Sequence, residues 1–422
     1  MARATQESTT LDIDGTVASY PDPLRTLVWN AIVEKATDVH MHCVAEGVRV
    51  LHRVDGIIHP KQQLPPAEGR RLLNQLKSAA GLNAVRSFAP LEGQITWPDE
   101  DMRWEIRVTL TPVCNRESAH LRLLSVPRDQ WDVSNLGLSS ADLERVGRAI
   151  HSLSGLVLVT GATGSGKTTT MYSLASALDL RTTTTYSIED PVEFRLPYIQ
   201  QIEVDERHGL TMHEGLRTIL RMDPDLILVG EIRDGDSALV AARAALSGRL
   251  VLATIHAQDA AGAVDALHYL GVPYHIIGSS LRLVIAQNLI RRLCPCCAEP
   301  HEVYEEEKEL FAQHGMQPPE SLLQATGCPD CHEYGYMDRT GVFEVATVDD
   351  EIATLIRAGA NHGQLCGRLR EQGMRSIAQD GLEKAAAGVT SLEELFRVCT
   401  VARPSWPERP PLEPCMTEMV AG

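Results

Sequence analysis

The run Leu156-Val157-Leu158-Val159-Thr160, followed at once by Gly161-Ala162-Thr163-Gly164-Ser165-Gly166-Lys167-Thr168, constrains this chain more than any other segment. The octet fits G-x-x-x-x-G-K-[ST], follows an apolar strand and opens a helix carrying Met171, Leu174 and Leu178. Three glycines let the backbone N–H groups turn inward as a nest for phosphate oxygens, backed by the helix N-terminus. Lys167 stands alone between Lys77 and Lys308, whereas arginine supplies most of the 39 Lys and Arg residues. A lysine kept there marks a site where the broad guanidinium would not fit. Lys167 is expected to neutralise the β and γ phosphates of ATP, and the Thr168 hydroxyl to hold Mg²⁺. Gly161, Thr163, Gly164, Ser165, Gly166 and Thr169 complete the expected nucleotide-contacting set.

The other elements agree with an α/β fold. Apolar stretches at 184–188, 226–229 and 250–254 alternate with helical sequence, the rhythm of an open sheet. This places an ATPase domain at 141–401, with a cysteine-rich insert at 293–341 and helices over 342–401. Before it, residues 22–126 read as a small α+β domain. A helix starts near Pro23, with Leu24, Leu27, Val28, Ala31, Ile32 and Ala36 on one face. Alternating segments at 38–43 and 48–54 are followed by an Asp55-Gly56 turn. A helix over 66–80 and paired strands at 104–110 and 120–124 complete the domain. Residues 127–140 form the expected linker, with Ser139 or Ser140 capping the next helix. Residues 1–21 and the Pro-rich 402–422 read as disordered tails.

Composition narrows the function. At 422 residues, 44% hydrophobic and 23% charged, the chain has the balance of a globular protein. No apolar run reaches bilayer length and the first residues lack a signal-peptide core, so the expected compartment is the cytoplasm. A net charge of −17 argues against a protein whose main task is gripping nucleic acid.

Hydrolysis needs more than a phosphate cradle. The apolar strand at 226–229 ends in Gly230-Glu231, where many P-loop enzymes place an Asp at the earlier position. Glu231 is the candidate to orient water or to hold Mg²⁺ through water. Ile188-Glu189-Asp190-Pro191-Val192-Glu193 is a second acidic cluster, either catalytic or a solvated loop.

Five of the ten cysteines lie between Cys294 and Cys331. Cys294-x-x-Cys297 and Cys328-x-x-Cys331 make two knuckles, each able to place two sulfurs on one side of a tetrahedral Zn²⁺. Their separation is longer than a compact zinc ribbon prefers, so free thiols or a redox pair stay open. Cys296 is read as a bystander; Cys43, Cys114, Cys366, Cys399 and Cys415 read as core or surface residues.

Taken together, the motifs resemble the ATPases of type II secretion and type IV pilus assembly over roughly residues 23–400. The phosphate loop is followed by a match to that family's Asp box at 187–194. An arginine-rich helix at 215–225 then runs into an atypical Walker B strand at 226–234, and a His box follows at 248–259. Ala36-Thr37-Asp38-Val39-His40 and Arg53-Val54-Asp55-Gly56 match its second N-terminal domain. The resemblance implies a RecA-like core, a small PAS-like N-terminal domain and a zinc subdomain held by Cys294, Cys297, Cys328 and Cys331. It implies Mg²⁺-dependent hydrolysis of ATP to ADP and phosphate, with Glu231 as main catalytic carboxylate. Glu193 would handle Mg²⁺ or water, His256 would sense the γ-phosphate, and Arg217 and Arg221 would link nucleotide to neighbouring structure. Family members are hexamers that drive pilus or pseudopilus assembly, or secretion, from the inner-membrane face through a platform protein. Arg107 and Arg122 either reach a nucleotide from the small domain or form surface salt bridges.

Some positions depart from the family pattern. Arg249 stands where many members have His, and Ala162 where Pro is frequent. Only about 21 residues precede the match, so the first docking domain is expected to be missing and the membrane partner is left open. The missing docking domain and Arg249 support a regulatory ATP-binding module with negligible turnover as the alternative; a retraction or DNA-uptake motor is a further one. The cysteine knuckles, absent from retraction ATPases, favour the assembly or secretion type.

Overall fold

The computed structural model describes residues 22–83, 89–98, 103–114, 116–125, 131–152 and 154–399. The tails expected at 1–21 and 402–422, and the first part of the expected linker (127–130), lie outside the described residues. The chain divides into two units, Met1–Gln130 with Pro191–Pro197, and Trp131–Asp190 with Tyr198–Gly422.

In the first unit, α1 (Asp22–Val33) buries Leu24, Leu27, Val28 and Ala31. Lys35 adopts a left-handed φ of 54°, which stops the helix. Ala36, read from sequence as part of the helical face, instead begins β1 (Ala36–Val44). Strands β2 (Gly47–Val54) and β3 (Ile57–Leu64) follow. Asp55 and Gly56, at φ 48° and 82°, supply the two positive values that a two-residue hairpin turn requires. After α2 (Pro66–Ala79) come β4 (Leu91–Pro98), β5 (Arg103–Val113) and β6 (Arg116–Ser125). The six strands form an antiparallel sheet ordered β3-β2-β1-β6-β5-β4. Strand β4 was not expected: Gly93 and Gln94 weaken its strand signal. A Cβ at Gly93 would meet Ala80 O at 2.7 Å, so the strand passes too close for a side chain there.

The second unit carries a seven-stranded sheet. Helix α3 (Ser140–Ile150), capped by Ser139, precedes β7 (Gly155–Thr160) and α4 (Lys167–Ser176). Then come β8 (Thr185–Glu189), β9 (Gln200–Glu203), α5 (Met212–Ile219) and β10 (Leu226–Val229). Helix α6 (Gly235–Leu246), β11 (Leu250–Ile255), α7 (Ala260–Tyr269) and α8 (Tyr274–Ser280) follow. Strand β12 (Leu281–Leu293) leads to a two-stranded ribbon, β13 (Glu299–Glu302) and β14 (Ser321–Gln324), with α9 (Glu305–Gln313) between them. Strand β15 (Tyr336–Thr347) returns to the main sheet.

The order is β15-β12-β7-β11-β10-β8-β9, parallel throughout except that β15 runs antiparallel to β12. Helices α10 (Asp350–Arg357), α11 (His362–Glu371), α12 (Ile377–Ala386) and α13 (Leu392–Val398) complete it. Both faces of the parallel strands are covered: Leu156, Leu158, Ile227, Val229, Val251 and Ala253 are buried on one, and Val157, Val159, Leu228 and Leu252 on the other. Two sequence readings change here. The long strand β12 was not anticipated, because Gln287 and Asn288 interrupt its apolar run. Residues 342–347, read as the start of the C-terminal helices, continue β15. Among the described residues no helix is long and apolar enough to cross a membrane.

Inside the first unit, Lys77 of α2 is fully buried, and its Nζ donates to both oxygens of Glu117 at 2.8 Å. Removing one member leaves the other charge desolvated and unpaired. Replacing Glu117 by Ala should lower the stability of this unit by about 3 kcal/mol in urea unfolding, whereas K77M/E117L should recover most of the loss.

Candidate nucleotide site and cysteine cluster

Three parallel neighbours, β7, β11 and β10, end side by side, with Thr160 opposite Ile255 and Ala253 opposite Val229. The loops after them carry Lys167, His256 and Glu231. Ligands bind at such carboxyl ends because the loops there converge on helix N-termini.

The glycine-rich turn needs its glycines. Gly161 has φ 145°, and a Cβ there would sit 2.3 Å from Gln287 O and 2.7 Å from Ser165 Oγ. Gly164 and Gly166 have φ 78° and 86°, and Gly166 caps α4. Thr163, Gly164 and Thr169 are exposed, Gly166, Lys167 and Thr168 half-buried, and Ser165 buried. Lys167 Nζ donates to Gly161 O (3.0 Å) and Ala162 O (3.1 Å), and lies 3.5 Å from His256 Nδ1. Burial pushes the Lys167 pKa down, with the Glu231 charge opposing that shift.

Gln287, in β12 beside β7, was missed from sequence. It is 2% exposed, its Nε2 donates to Ser165 O at 2.6 Å, and its Oε1 accepts from Thr170 Oγ1 at 2.7 Å. One side chain therefore ties the loop to the first turn of α4. The signal was present as a polar residue in the middle of a buried strand, which satisfied buried polar groups demand.

Behind the loop, Thr160 Oγ1 accepts from Ala257 N at 2.7 Å and donates to Ala257 O at 3.0 Å, fixing the segment that presents His256. Thr254 Oγ1 donates to Gly230 O at 2.5 Å, holding the residue before Glu231. His256 Nε2 pairs with Glu231 Oε1. Arg233 Nε donates to Glu231 Oε2 at 2.6 Å, and Arg233 Nη1 to Asp190 Oδ2 at 3.2 Å. A chain of opposite charges thus runs from Asp190 through Arg233 to Glu231 and His256, next to Lys167. Gly230, where an Asp is common, sits in a tight space: a Cβ there would lie 3.1 Å from Glu189 Cα. Glu189 itself is buried, accepting from Tyr172 OH, from Ser187 Oγ at 2.6 Å and from Gln201 Nε2 at 3.1 Å.

The other candidates are not gathered with these groups. Arg217 and Arg221 are exposed at the end of α5, Arg221 donating to Thr218 Oγ1 at 3.1 Å. Neither is hydrogen-bonded or ion-paired to the phosphate loop among the described residues. Glu193 is half-buried in Pro191–Pro197, the segment that packs with the first unit. There Arg107 Nη2 donates to Val192 O at 2.8 Å. Arg122 faces Asp38 at 3.4 Å. Burial would raise the Asp38 pKa, but hydrogen bonds from His120 and Thr37 and the Arg122 charge hold it far below the usual carboxylate range. Arg249 precedes β11 and bonds to Ser247, so the six-residue strand puts it about 20 Å along the chain axis from His256.

The sulfurs of Cys294, Cys297, Cys328 and Cys331 all lie within 4.8 Å of one another. Cys294–Cys328 and Cys297–Cys331 are 3.9 and 3.8 Å apart, the edge lengths of a tetrahedron around an ion with bonds near 2.3 Å. Burial raises the Cys331 pKa, but N–H donors on the backbone of Cys328 and Gly335 outweigh it and bring the thiol down to about 7. The donor set fits Zn²⁺; Cys296 is exposed and outside it.

The chain matches the family described as Type II/IV secretion system protein over residues 18–397. It belongs to that family. Type II secretion system protein E of Pseudomonas aeruginosa is 37% identical over 379 residues, covering 89% of this chain and 74% of that protein. Type II secretion system ATPase E of Vibrio cholerae is 37% identical over 377 residues, with the same two coverages. Type IV pilus assembly ATPase PilB of Myxococcus xanthus is 36% identical over 374 residues, 87% of this chain and 66% of PilB. The solved ATPase DotB of Legionella pneumophila superposes with TM-score 0.67 at 21% identity, covering 92% of this chain and 98% of DotB, a likeness of fold. This secretion-family member is therefore an ATP-hydrolysing α/β enzyme with a parallel-sheet core and a tetracysteine cluster.

Replacing Gln287 by Leu removes both bonds and leaves the Ser165 carbonyl and the Thr170 hydroxyl buried without partners. ATP affinity of this secretion-family ATPase should fall by about tenfold with the fold retained, as read by fluorescent-nucleotide titration and circular dichroism.

Proposed function

We propose that this chain is a homohexameric motor that hydrolyses ATP to drive pilus or pseudopilus assembly, or protein secretion, across the bacterial envelope. The observation that carries this reading is the convergence of Lys167, His256 and Glu231 at the ends of three adjacent strands, in a chain 37% identical to secretion ATPases. The motor works at the cytoplasmic face of the inner membrane and attaches through a platform protein. Nucleic acid is not a partner, in keeping with the net charge of −17.

Each group has one task. The N–H groups of residues 161–169 hold the phosphates, and Lys167 exchanges its carbonyl contacts for phosphate oxygens. The Thr168 hydroxyl would hold Mg²⁺, which would supply charge neutralisation on the β and γ phosphates. Glu231 accepts a hydrogen bond from the attacking water, aligning it with the γ-phosphorus. Water adds to phosphorus as the bond to the ADP oxygen breaks, giving ADP and phosphate. His256, shared between Glu231 and the loop, reports whether the γ-phosphate is present. Arg217 and Arg221 carry the signal to neighbouring structure. Cys294, Cys297, Cys328 and Cys331 would hold Zn²⁺, which would fix the segment between β12 and β15 as a rigid unit.

A regulatory module without turnover drew support from the missing docking domain and from Arg249, a residue at the opposite end of β11 from His256. Retraction motors remain similar in fold, since the retraction motor PilT superposes with TM-score 0.59 at 23% identity; the cysteine cluster favours the assembly type.

Replacing Glu231 by Gln keeps the shape but removes the acceptor charge. Steady-state phosphate release with Mg²⁺ should fall at least about a hundredfold while ATP binding stays within about threefold of wild type. Turnover that survived the change would sink the assignment of Glu231.

A further inference from the structure

Asp259, His362 and Cys366 place an oxygen, a nitrogen and a sulfur donor within 4.8 Å of one another, away from the tetracysteine cluster. We propose that these three residues form a second metal site, which takes a divalent ion of the zinc class.

Two separate segments build it. Asp259 is the cap of α7, its Oδ1 held by Gly262 N at 2.7 Å. His362 opens α11, and Cys366 stands one turn later on the same face. His362 Nε2 is 2.9 Å from both Asp259 oxygens, and Cys366 Sγ is 3.8 Å from that nitrogen. With metal–nitrogen and metal–oxygen bonds near 2 Å and a metal–sulfur bond near 2.3 Å, one ion placed among the three atoms reaches all of them after small rotamer shifts.

The surrounding charge favours a cation. Asp259, Asp265 and Glu344 act on Cys366 against the single guanidinium of Arg370. Glu344 is committed to Ala260 N at 2.9 Å and is buried, so it adds negative charge without taking a ligand position. Access exists as well: Asp259 and His362 line a cavity of about 400 Å³ together with His256, Gln258, Asp265 and Tyr269. Three protein ligands, two of them lining this cavity, leave a fourth position for water. A mixed O, N and S set selects zinc or cobalt over magnesium or calcium, which need oxygen alone. An ion here ties α11 to the segment after β11, three residues beyond His256. This inference does not depend on the motor reading.

The test uses the full chain, loaded with zinc and dialysed, with metal per chain measured by plasma mass spectrometry. Both C366S and H362A should hold one equivalent fewer than wild type. The tetracysteine cluster is common to all three proteins, so the difference reports this site alone. Because a variant can fail for reasons of folding, a second measurement stays on the wild type. Iodoacetamide labelling of Cys366, followed peptide by peptide, should slow at least about tenfold with added Zn²⁺, since a metal-bound thiolate is unavailable for alkylation. The exposed Cys114 serves as reference. Equal zinc content in all three proteins, together with labelling of Cys366 that zinc does not slow, would overturn the proposal and leave a plain His–Asp ion pair.

Discussion

The phosphate loop depends on the strand beside it. A turn with three positive-φ glycines has little packing of its own, and each glycine adds backbone entropy that must be lost on ordering. Here β12 supplies what the turn lacks: the Gln287 carbonyl fills the space against Gly161, and its side chain grips Ser165 and Thr170. The loop is preorganised before any anion arrives, and β12 in turn is held between β7 and β15. The antiparallel return of β15 thus has a role in the site, since it buries the outer edge of the strand that braces the loop.

Charge is arranged with similar economy. The Arg233 guanidinium sits between the Asp190 and Glu231 carboxylates, and His256 stands between Glu231 and Lys167. An added phosphate changes that balance at Lys167 first.

Much of this was legible in the sequence because the motif and its context are local. Strand, glycine turn and helix follow each other within 156–170, and β10 appears as four apolar residues before Gly230-Glu231. The two C-x-x-C knuckles reveal the tetracysteine set for the same reason. What failed to show was non-local. Gln287 lies more than a hundred residues from the loop it braces, and nothing in its own neighbourhood advertises the partner. Ala36 obeys a helical period yet starts a strand, because Lys35 turns left-handed and hands the chain to the sheet. The pairing of Asp259 with His362 and Cys366 needs the tertiary contact between α7 and α11, which no spacing rule reveals.

The two carboxylates at the start and end of the acidic cluster illustrate how far a motif can mislead about its members. Glu189 and Glu193 stand four residues apart and read alike. Glu189, the last residue of β8, is buried and held by a tyrosine, a serine and a glutamine, and it crowds the space at position 230. Its neighbour Asp190 faces outward to Arg233. After Pro191 the chain leaves this sheet, so Glu193 packs with the other unit, where Arg107 binds the adjoining carbonyl of Val192. The cluster is therefore divided between two bodies, one carboxylate building the core of the ATPase unit and the other carried by its companion.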